Sequence, residues 1–597
     1  MNAENTEIKK IIVKKLVNSG INITPSLLDF ILDLDNPLNK INLIIKDSSF
    51  IASFKSHLTE NILNRLSNEK IKKVAKRKLN KLEMNSSKEN LKIKDDSNEV
   101  QTSLPKTGSQ KVIESNYTKK LETFSEPSKN FNLKPQSSHT MEHTDNSLNL
   151  EVNRRNKIRL IEGIKSPIVF NPTAKEYSSQ FEILTDPTGK LYTNGEYKDF
   201  YDLTFNKFNK LRNLMRKRTE VHNADNINNI LRLSNKVEIS IIGLVNEIRI
   251  TRNGFFLLTI EDLTGLINVI IRKDTENQDN IKIAERTLSD QMVYIEGTYN
   301  PGDKGKPGII YGNYITKIDI PRDYEPNKST DPLSIVLISD THIGSKEFEE
   351  KLWKRFIDFL NGKIGNKSQR DRAGRIKYII INGDLVDGIG VYPTQRSDLL
   401  VTNIYKQFDN AAELISGIPE YIKIFYSSGN HEPVRNAIPR PAVPKKYSKE
   451  LINMGVTCLG NPSLVKTHNV NTLIFHGDSI LDINMLIPGM ENNKSVETMK
   501  ELLKCRHLAP VYGKKTQIAP TNKDWLVIDK IPDIFHTGHV HINDMGSYNN
   551  ILLVNSGCFQ SQTDFMNSLG IHPSPGILSI IDLDSLKGTQ LDLKVSL

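Results

Sequence analysis

Five short motifs between residues 340 and 541 combine acidic, amide and imidazole side chains in a pattern that suits metal binding. In chain order they read Asp340-Thr341-His342, Gly383-Asp384-Leu385-Val386-Asp387, Gly429-Asn430-His431-Glu432, His476-Gly477 and Gly538-His539-Val540-His541. The candidate ligands are three oxygen donors and four imidazoles: Asp340, Asp384, Asn430, His342, His476, His539 and His541. This mixture suits Mn, Fe or Zn better than Ca or Mg. The motifs therefore predict a site for transition-type metal ions.

Paired metal ions suit the hydrolysis of a phosphodiester. That reaction needs a hydroxide nucleophile at neutral pH and positive charge around a pentavalent transition state. Two ions about 3.5–4 Å apart supply both, with a carboxylate between them. Asp384 is the natural bridging residue, because a carboxylate has two oxygens and offsets the charge of two cations. We therefore expect two divalent metal ions on either side of Asp384.

Four of the motifs come directly after a run of apolar residues. The runs cover residues 334–339, 378–382, 422–426 and 472–475. Continuous apolar runs of this length are typical of buried strands, and ligands gather at the strand ends of open α/β sheets. The glycines beside the ligands allow tight turns and close approach of the backbone.

Taken singly, most of these motifs are weak signals. A lone Asp-x-His or Gly-Asp is common, and even the longer motifs could be ordinary turns. All five in order, after apolar runs, favour a metal site. The remaining histidines of this half are expected to be surface residues or core residues with satisfied hydrogen bonds: His468, His507, His536 and His572.

Composition and periodicity divide the chain into five segments. We predict a small helical domain over 1–82, a disordered linker over 83–155, a bridging segment over 156–233, an OB-fold domain over 234–322 and an α/β domain over 323–597. Residues 70–81 contain seven basic residues and no acidic residue, a pattern that suits either a solvated helix face or a contact with DNA. The OB-fold suits either DNA contact or scaffolding.

The bridging segment contains five aromatic residues beside basic ones. They are expected to lie in a core rather than to form stacking platforms: Tyr197, Phe200, Tyr201, Phe205 and Phe208.

Charge and composition narrow the class of protein. Among 597 residues there are 80 Lys and Arg and 70 Asp and Glu, so the formal net charge is +10. This excess fits a polyanionic partner. Three well-separated cysteines predict no disulfide framework. Since no apolar run approaches 18 residues and the first residues are not a signal peptide, we expect a cytoplasmic protein without a membrane partner.

The motifs and the residues between them resemble those of the small subunits of archaeal D-family DNA polymerases, which belong to the calcineurin-like metallophosphoesterase superfamily. The resemblance covers roughly residues 160–597. It is carried most specifically by residues 383–388 with 391–395, 439–442, 506–513, 532–539 and 555–558. It implies a multidomain α+β fold, with an N-terminal helical domain, a disordered linker, an OB-fold β-barrel and a calcineurin-like phosphoesterase domain in which a β-sandwich is flanked by helices.

The resemblance also assigns roles to the motif residues. The first metal would be held by Asp340, His342, Asp384 and His541, and the second by Asp384, Asn430, His476 and His539. His431 would be the catalytic proton donor or transition-state stabiliser, a role that suits an imidazole. One departure is visible. The family usually has a basic residue after His-Gly, whereas this chain has Asp478. A phosphate contact is therefore either missing or supplied elsewhere.

The resemblance implies a subunit of a replicative DNA polymerase with a Mn(II)-dependent 3′→5′ exonuclease for proofreading. Its expected partners are a large catalytic polymerase subunit, in a heterodimer or higher assembly, and single-stranded or primer–template DNA. Two alternatives stay open. The chain could be another calcineurin-like phosphoesterase, or a non-catalytic scaffold that stabilises the large subunit.

Overall fold

The computed structural model describes Ile12 and residues 170–221, 223–273, 278–303, 307–568 and 570–595. The chain forms two compact units, residues 1–143 and 144–597. In the first unit, Ile12 is helical and buried. The predicted helical domain over 1–82 and linker over 83–155 otherwise lie outside the described residues. In the second unit, the fold is a mixed α/β arrangement of two sheets, a closed barrel and flanking helices.

Ten α-helices are described in the second unit. They are α1 (Tyr197–Met215), α2 (Ile227–Ile230), α3 (Gln278–Glu285), α4 (Glu350–Leu360), α5 (Lys367–Arg375), α6 (Ile404–Ile415), α7 (Lys445–Asn453), α8 (Ile480–Leu486), α9 (Ser495–Cys505) and α10 (Asp564–Ser568). Short 3-10 helices cover Thr173–Glu176 and Gln395–Ser397. No helix among the described residues is long and apolar enough to cross a membrane.

Seventeen strands are described in the same unit. They are β1 (Phe181–Thr185), β2 (Val237–Ile250), β3 (Phe256–Glu261), β4 (Leu266–Ile271), β5 (Met292–Asn300), β6 (Ile309–Lys317), β7 (Ser334–Ile338), β8 (Ile376–Asn382), β9 (Lys423–Ser427), β10 (Thr457–Leu459), β11 (Ser463–Thr467), β12 (Val470–Ile474), β13 (Ile534–Thr537), β14 (Asp544–Tyr548), β15 (Ile551–Asn555), β16 (Ile577–Asp582) and β17 (Lys587–Asp592).

Strands β2 to β6 close into a five-stranded barrel in the order β2-β3-β4-β6-β5. Residues of β3 and β4 alternate in burial, as expected when one face of a strand points into a barrel. The interior is filled by aliphatic side chains such as Val245, Leu258 and Ile295. The barrel lies within the segment predicted to be an OB-fold. That assignment and the predicted domain boundaries stay predictions.

Two six-stranded sheets form the α/β part, in the orders β10-β9-β8-β7-β16-β17 and β1-β11-β12-β13-β15-β14. Strands β7, β8 and β9 are parallel neighbours, as are β12, β13 and β15. These parallel strands are almost fully buried. The continuous apolar runs of the sequence therefore correspond to buried parallel strands, and each run ends just before a motif.

The alternation of side chains along β7 shows how the sheets are layered. Ile335 and Leu337 pack in a core that includes Val465 and Ile534 of the other sheet. Val336 and Ile338 point to the opposite side, where they share a core with helix residues such as Phe356. Both faces of the strand are thus apolar because one faces the second sheet and the other faces helices.

Helix α1 leaves several of its aromatic side chains at the surface. Phe208 is only 3% exposed, but Tyr197 is 85% exposed, and Tyr201 and Phe205 are also exposed. The rings of Tyr201 and Phe205 stack with their centroids 5.8 Å apart. The expectation that these aromatics form a core was therefore wrong for Tyr197, Tyr201 and Phe205. Aromatic content alone does not show which face of the helix is covered.

Of the four histidines of this half outside the motifs, His507 and His572 behave as expected. The expectation was wrong for buried His468 and His536, because His468 Nε2 and His536 Nδ1 have no hydrogen-bond partner among the described residues. His507 Nδ1 accepts a hydrogen bond from the backbone of Ala509, and its Nε2 lies 3.0 Å from Asp524. His536 Nε2 lies 2.9 Å from the Ser556 hydroxyl. The other two are His468, which is buried 3.3 Å from the Tyr378 hydroxyl, and His572, which is exposed.

A buried ion-pair network joins the barrel to the α/β part. Glu501 of α9 lies 3.2 Å from the ammonium of Lys317 at the end of β6 and 3.1 Å from Arg286, which follows α3. Glu501 and Lys317 are both buried. Burial opposes ionisation of Glu501, but Lys317 and Lys504 lower the pKa of its carboxyl. The charged pair therefore fixes α9 against the rim of the barrel.

We predict that Glu501→Gln destabilises this unit strongly, because it leaves the ammonium of Lys317 buried without its counter-charge. Breaking a buried pair in this way costs about 3–5 kcal/mol. Chemical unfolding curves of the two proteins would measure the loss. Glu497→Gln on the same helix is the control, since Glu497 pairs with Lys500 at the surface. Equal stability of the Glu501 and Glu497 variants would contradict the prediction.

Candidate metal centre

The five motifs meet at one edge of the two sheets. Loops after β7, β8 and β9 bring in residues from the first sheet, and loops after β12 and β13 bring in residues from the second. The backbone of the first loop is tied to that of the second, because Asp340 N donates to Gly383 O and His342 N donates to Asp384 O. The predicted ligands thus come together because parallel strands present their carboxyl ends to the same place.

The first cluster of potential ligands consists of Asp340, His342 and His541. Their donor atoms lie within 4.8 Å of one another, and all three residues are buried. The Nε2 atoms of the two histidines are 3.1 Å apart, and His541 Nε2 is 3.4 Å from Asp340 Oδ1. The side chains therefore converge on one point.

The second cluster consists of Asp384, His476 and His539, whose donor atoms also lie within 4.8 Å of one another. His476 Nε2 is 3.2 Å from Asp384 Oδ2 and 3.0 Å from the side-chain oxygen of Asn430. Asn430 is thus placed beside this cluster.

Asp384 lies between the two clusters. The Oδ2 atom that faces His476 is also 3.9 Å from His342 Nε2. Its other oxygen accepts a hydrogen bond of 2.9 Å from the backbone of His431. All seven predicted ligands and His431 are therefore brought together, with Asp384 in the position expected of a shared carboxylate.

The electrostatics of the clusters favour a cation. Burial opposes ionisation of Asp384, but His476 and His431 hold the pKa of its carboxyl well below the usual range. Burial lowers the pKa of His476, yet Asp384 raises it to about 10 overall. Asp340 likewise raises the pKa of His541 against the effect of burial. Protonated imidazoles thus offset the buried carboxylates, and divalent cations could replace that charge.

The donor set and its spacing fit metal ions. Ligand atoms about 2.0–2.2 Å from one ion, at tetrahedral or octahedral angles, lie roughly 2.8–3.6 Å apart. Four distances between side-chain donor atoms lie in that range. In the first cluster they are 3.1 Å from His342 to His541 and 3.4 Å from His541 to Asp340. In the second they are 3.2 Å from His476 to Asp384 and 3.0 Å from His476 to Asn430. The side chains need little rearrangement to hold two ions.

Asp387 supports the first cluster, although its place in the motif predicted no role for it. Its Oδ1 lies 2.9 Å from His342 Nδ1 and accepts a hydrogen bond from Gln560, and Gln395 donates to its Oδ2. A carboxylate that binds one ring nitrogen leaves the other nitrogen free for a metal. Asp387, His342 and His431 also form a third possible ligand group. We assign Asp387 to orientation, because its oxygens already have these partners.

Glu432 supports the second cluster in a similar way. This buried carboxylate accepts hydrogen bonds from the backbone N–H groups of Asp384, Leu385 and Gly429. Tyr426 OH donates to it as well. The last residue of the Gly-Asn-His-Glu motif therefore holds the loops after β8 and β9 together. Glu432 is visible in the sequence as the last residue of this motif, but the sequence did not reveal which backbone N–H groups its carboxylate would bind.

The backbone at the site is unusual. Five of the predicted ligands have φ angles between 52° and 71°: Asp340, His342, Asp384, His539 and His541. Residues other than glycine rarely adopt this left-handed conformation, which costs about 1–3 kcal/mol each. Strain of this kind persists where surrounding structure enforces it, and its concentration on the ligands agrees with a functional site.

Asp478, which stands where a basic residue was expected, is paired with an arginine. Asp478 Oδ1 lies 2.5 Å from Arg440 Nη2, and both side chains line the same cavity as the clusters. Burial opposes ionisation of Asp478, but Arg440 lowers its pKa to about 2. The cationic group near this position thus comes from the Pro439-Arg440-Pro441 segment.

Comparison with known proteins agrees with this architecture. The family of alpha/epsilon B subunits of DNA polymerases matches residues 335–543, a range that contains all five motifs. The α/β part is therefore similar to the B subunits of DNA polymerases.

Relatives named DNA polymerase II small subunit extend over more of the chain. The protein of Methanothermobacter thermautotrophicus is 39% identical over 413 residues, which are 69% of this chain and 83% of the relative. The protein of Archaeoglobus fulgidus is 37% identical, over 67% of this chain and 78% of the relative. The protein of Pyrococcus furiosus is 35% identical, over 70% of this chain and 73% of the relative. The chain therefore belongs to the family of archaeal DNA polymerase II small subunits.

We predict that Gly429→Ala weakens metal binding, because a Cβ at this position would lie 2.2 Å from Asp384 Oδ1 and 2.7 Å from Asp384 N. The shared carboxylate would have to move. Displacing a ligand should reduce metal affinity by at least the roughly 10–100-fold that follows from loss of a supporting residue. Calorimetric titration with Mn(II) would measure this.

Gly265→Ala is the matched control, because its new Cβ would meet its nearest neighbour at 3.4 Å, an ordinary contact. A Gly429 variant that binds Mn(II) as tightly as the Gly265 variant would show that Asp384 is not a ligand.

Proposed function

We propose that this DNA polymerase subunit is a metal-dependent 3′→5′ exonuclease that removes mismatched nucleotides left by the polymerase. The observation that carries the proposal is the pair of ligand clusters at the edge of an open cavity, in which Asp384 of the second cluster lies 3.9 Å from His342 of the first. A purely structural role would not require seven converging donors, five of them on strained backbone. The complete donor set therefore favours catalysis over the alternative of a non-catalytic scaffold.

The proposed ligands divide between two divalent ions. Asp340, His342 and His541 would hold the first, Asn430, His476 and His539 the second, and Asp384 both. Two bound ions activate water for attack and neutralise charge on the transferred phosphoryl group. Carboxylate, amide and imidazole donors together suit Mn, Fe or Zn. We propose Mn(II).

His431 is proposed to protonate the leaving oxygen. Its Nδ1 lies 2.6 Å from the backbone carbonyl of Asp387, so Nδ1 donates to that oxygen and Nε2 points elsewhere. Nε2 lies 3.9 Å from Asp384 Oδ2, and the ring lines the cavity. This geometry supports a role for Nε2 in giving a proton to the 3′ oxygen of the shortened strand.

Membership in the family implies two partners. A small subunit of a DNA polymerase works beside a large catalytic subunit, and the nuclease substrate would be the single-stranded or frayed end of a primer. The net charge of +10 suits such a polyanion. We propose that the five-stranded barrel acts as an OB-fold platform for the large subunit or for DNA.

We predict that Asp384→Asn abolishes most nuclease activity while the protein stays folded. The amide removes the negative charge shared by both ions, so the loss should exceed the roughly 10–100-fold typical of a residue that only supports a ligand. Hydrolysis of a single-stranded oligonucleotide with Mn(II), together with a thermal melt, would measure both quantities.

Asp409→Asn serves as the control, since Asp409 is exposed on α6. Equal activity of the Asp384 and Asp409 variants, purified in parallel to detect contaminating nucleases, would overturn the proposed site. An inactive wild type with its large subunit present would favour the scaffold.

We predict that His431→Ala retains both metals and DNA affinity but loses turnover. A general acid contributes roughly 10²–10⁴-fold. The loss should be smaller for a substrate with a better leaving group, such as a nitrophenyl ester, because that group needs less protonation. Metal analysis and DNA binding accompany the rate measurements. Loss of one metal would identify His431 as a ligand, and an equal loss on both substrates would rule out proton donation.

A further inference from the structure

The cavity beside the ligand clusters has an apolar side that the proposed chemistry does not use. The cavity has a volume of about 360 Å³. Five of the seven proposed ligands line it together with His431: His342, Asp384, Asn430, His539 and His541. The lining also includes a group of apolar and aromatic residues: Val391, Tyr392, Phe565, Met566 and Ile571. Hydrolysis of a small polar phosphate would not need such a surface, so it is available to contact another part of a larger substrate.

Two of these residues form a stacked aromatic pair. The ring centroids of Tyr392 and Phe565 are 4.9 Å apart, and the ring planes are nearly parallel, with an angle of 13° between them. Phe565 is 44% exposed although one of its faces packs on Tyr392. The pair therefore presents a flat apolar ring to the cavity.

Both rings are held in place by their surroundings. Tyr392 OH donates to Asp398 at 2.9 Å. Phe565 lies on α10, where the next residue, Met566, is buried and its N–H donates to the Thr563 hydroxyl at 3.2 Å. An exposed ring on an anchored element loses little conformational freedom when a ligand stacks on it.

The pair is also close to the proposed proton donor. The ring of Tyr392 lies 6.4 Å from that of His431, between centroids. A phosphodiester at the clusters would therefore have one of its neighbouring nucleosides on the Tyr392–Phe565 side. Aromatic side chains bind bases of single strands by stacking, without regard to sequence.

We propose that Tyr392 and Phe565 form a stacking subsite for an unpaired nucleobase next to the scissile phosphate. This inference rests on the proposed function, since it takes a DNA strand end as the substrate. A base can reach Phe565 only after it has left its partner, and that separation costs less for a mismatched pair. The subsite thereby couples hydrolysis to fraying of the primer end.

Binding to an oligonucleotide with 2-aminopurine tests the subsite without hydrolysis. The fluorescent base is placed at the last or next-to-last position, and the full-length protein is titrated in the presence of a chelator. Stacking on Phe565 should quench the fluorescence in one of the two oligonucleotides. Phe565→Ala should abolish the quenching and weaken binding roughly 5- to 150-fold, as expected for one stacked base.

Three further variants make the result specific. Phe565→Trp should retain quenching, and Phe565→Leu should lose it, because leucine keeps an apolar side chain without an aromatic face. Tyr197→Ala should behave as wild type, since Tyr197 is an exposed aromatic residue on α1 and does not line the cavity. Quenching that survives in both the Ala and the Leu variants would overturn the subsite.

Hydrolysis of ends with and without a base separates this inference from the proposed function. With Mn(II), wild type should cut a normal 3′ end faster than an abasic end, and Phe565→Leu should cut both at similar rates. Hydrolysis by wild type with the same preference in the Leu variant would refute the subsite and leave the nuclease intact. Specific quenching without any hydrolysis would refute the nuclease and leave a base-stacking site that serves binding alone.

Discussion

The buried carboxylate of Asp384 is the centre around which the α/β part is organised. A charged group with no access to water is costly unless opposite charges and hydrogen-bond donors surround it. His476 and the backbone N–H of His431 supply them, and they come from two different loops. Because these loops follow strands of both sheets, the charge balance at Asp384 also ties the two sheets together at one edge.

A second layer of polar residues keeps this arrangement rigid. Asp387 fixes the ring of His342, and Glu432 binds backbone N–H groups on both sides of the shared carboxylate. Neither residue needs to touch a metal to matter, because ligands must be held to within fractions of an ångström for catalysis. The left-handed backbone at five of the proposed ligands costs conformational energy, which the surrounding structure offsets.

The same unit combines rigidly held ligand clusters with exposed surfaces suited to larger partners. Glu501 and Lys317 fasten the barrel to α9, so the barrel and the clusters keep a fixed relation. Exposed aromatics of α1 and the Tyr392–Phe565 pair lie on other parts of the unit. Both features suit the proposed nuclease, because its chemistry requires fixed geometry and its proposed substrate is a strand end.

Local pattern in the sequence was enough to predict the strands and the ligand candidates. Apolar runs located the strands before Asp340, Asp384, Asn430 and His476, and donor chemistry identified all seven candidates, because each lies within a few residues of its strand. Contacts between distant segments could be seen only in the folded unit. Arg440 faces Asp478, Phe565 stacks on Tyr392, and several aromatics of α1 stay exposed. These contacts and exposures depend on which surfaces the fold brings together, and the spacing of residues along the chain does not determine that.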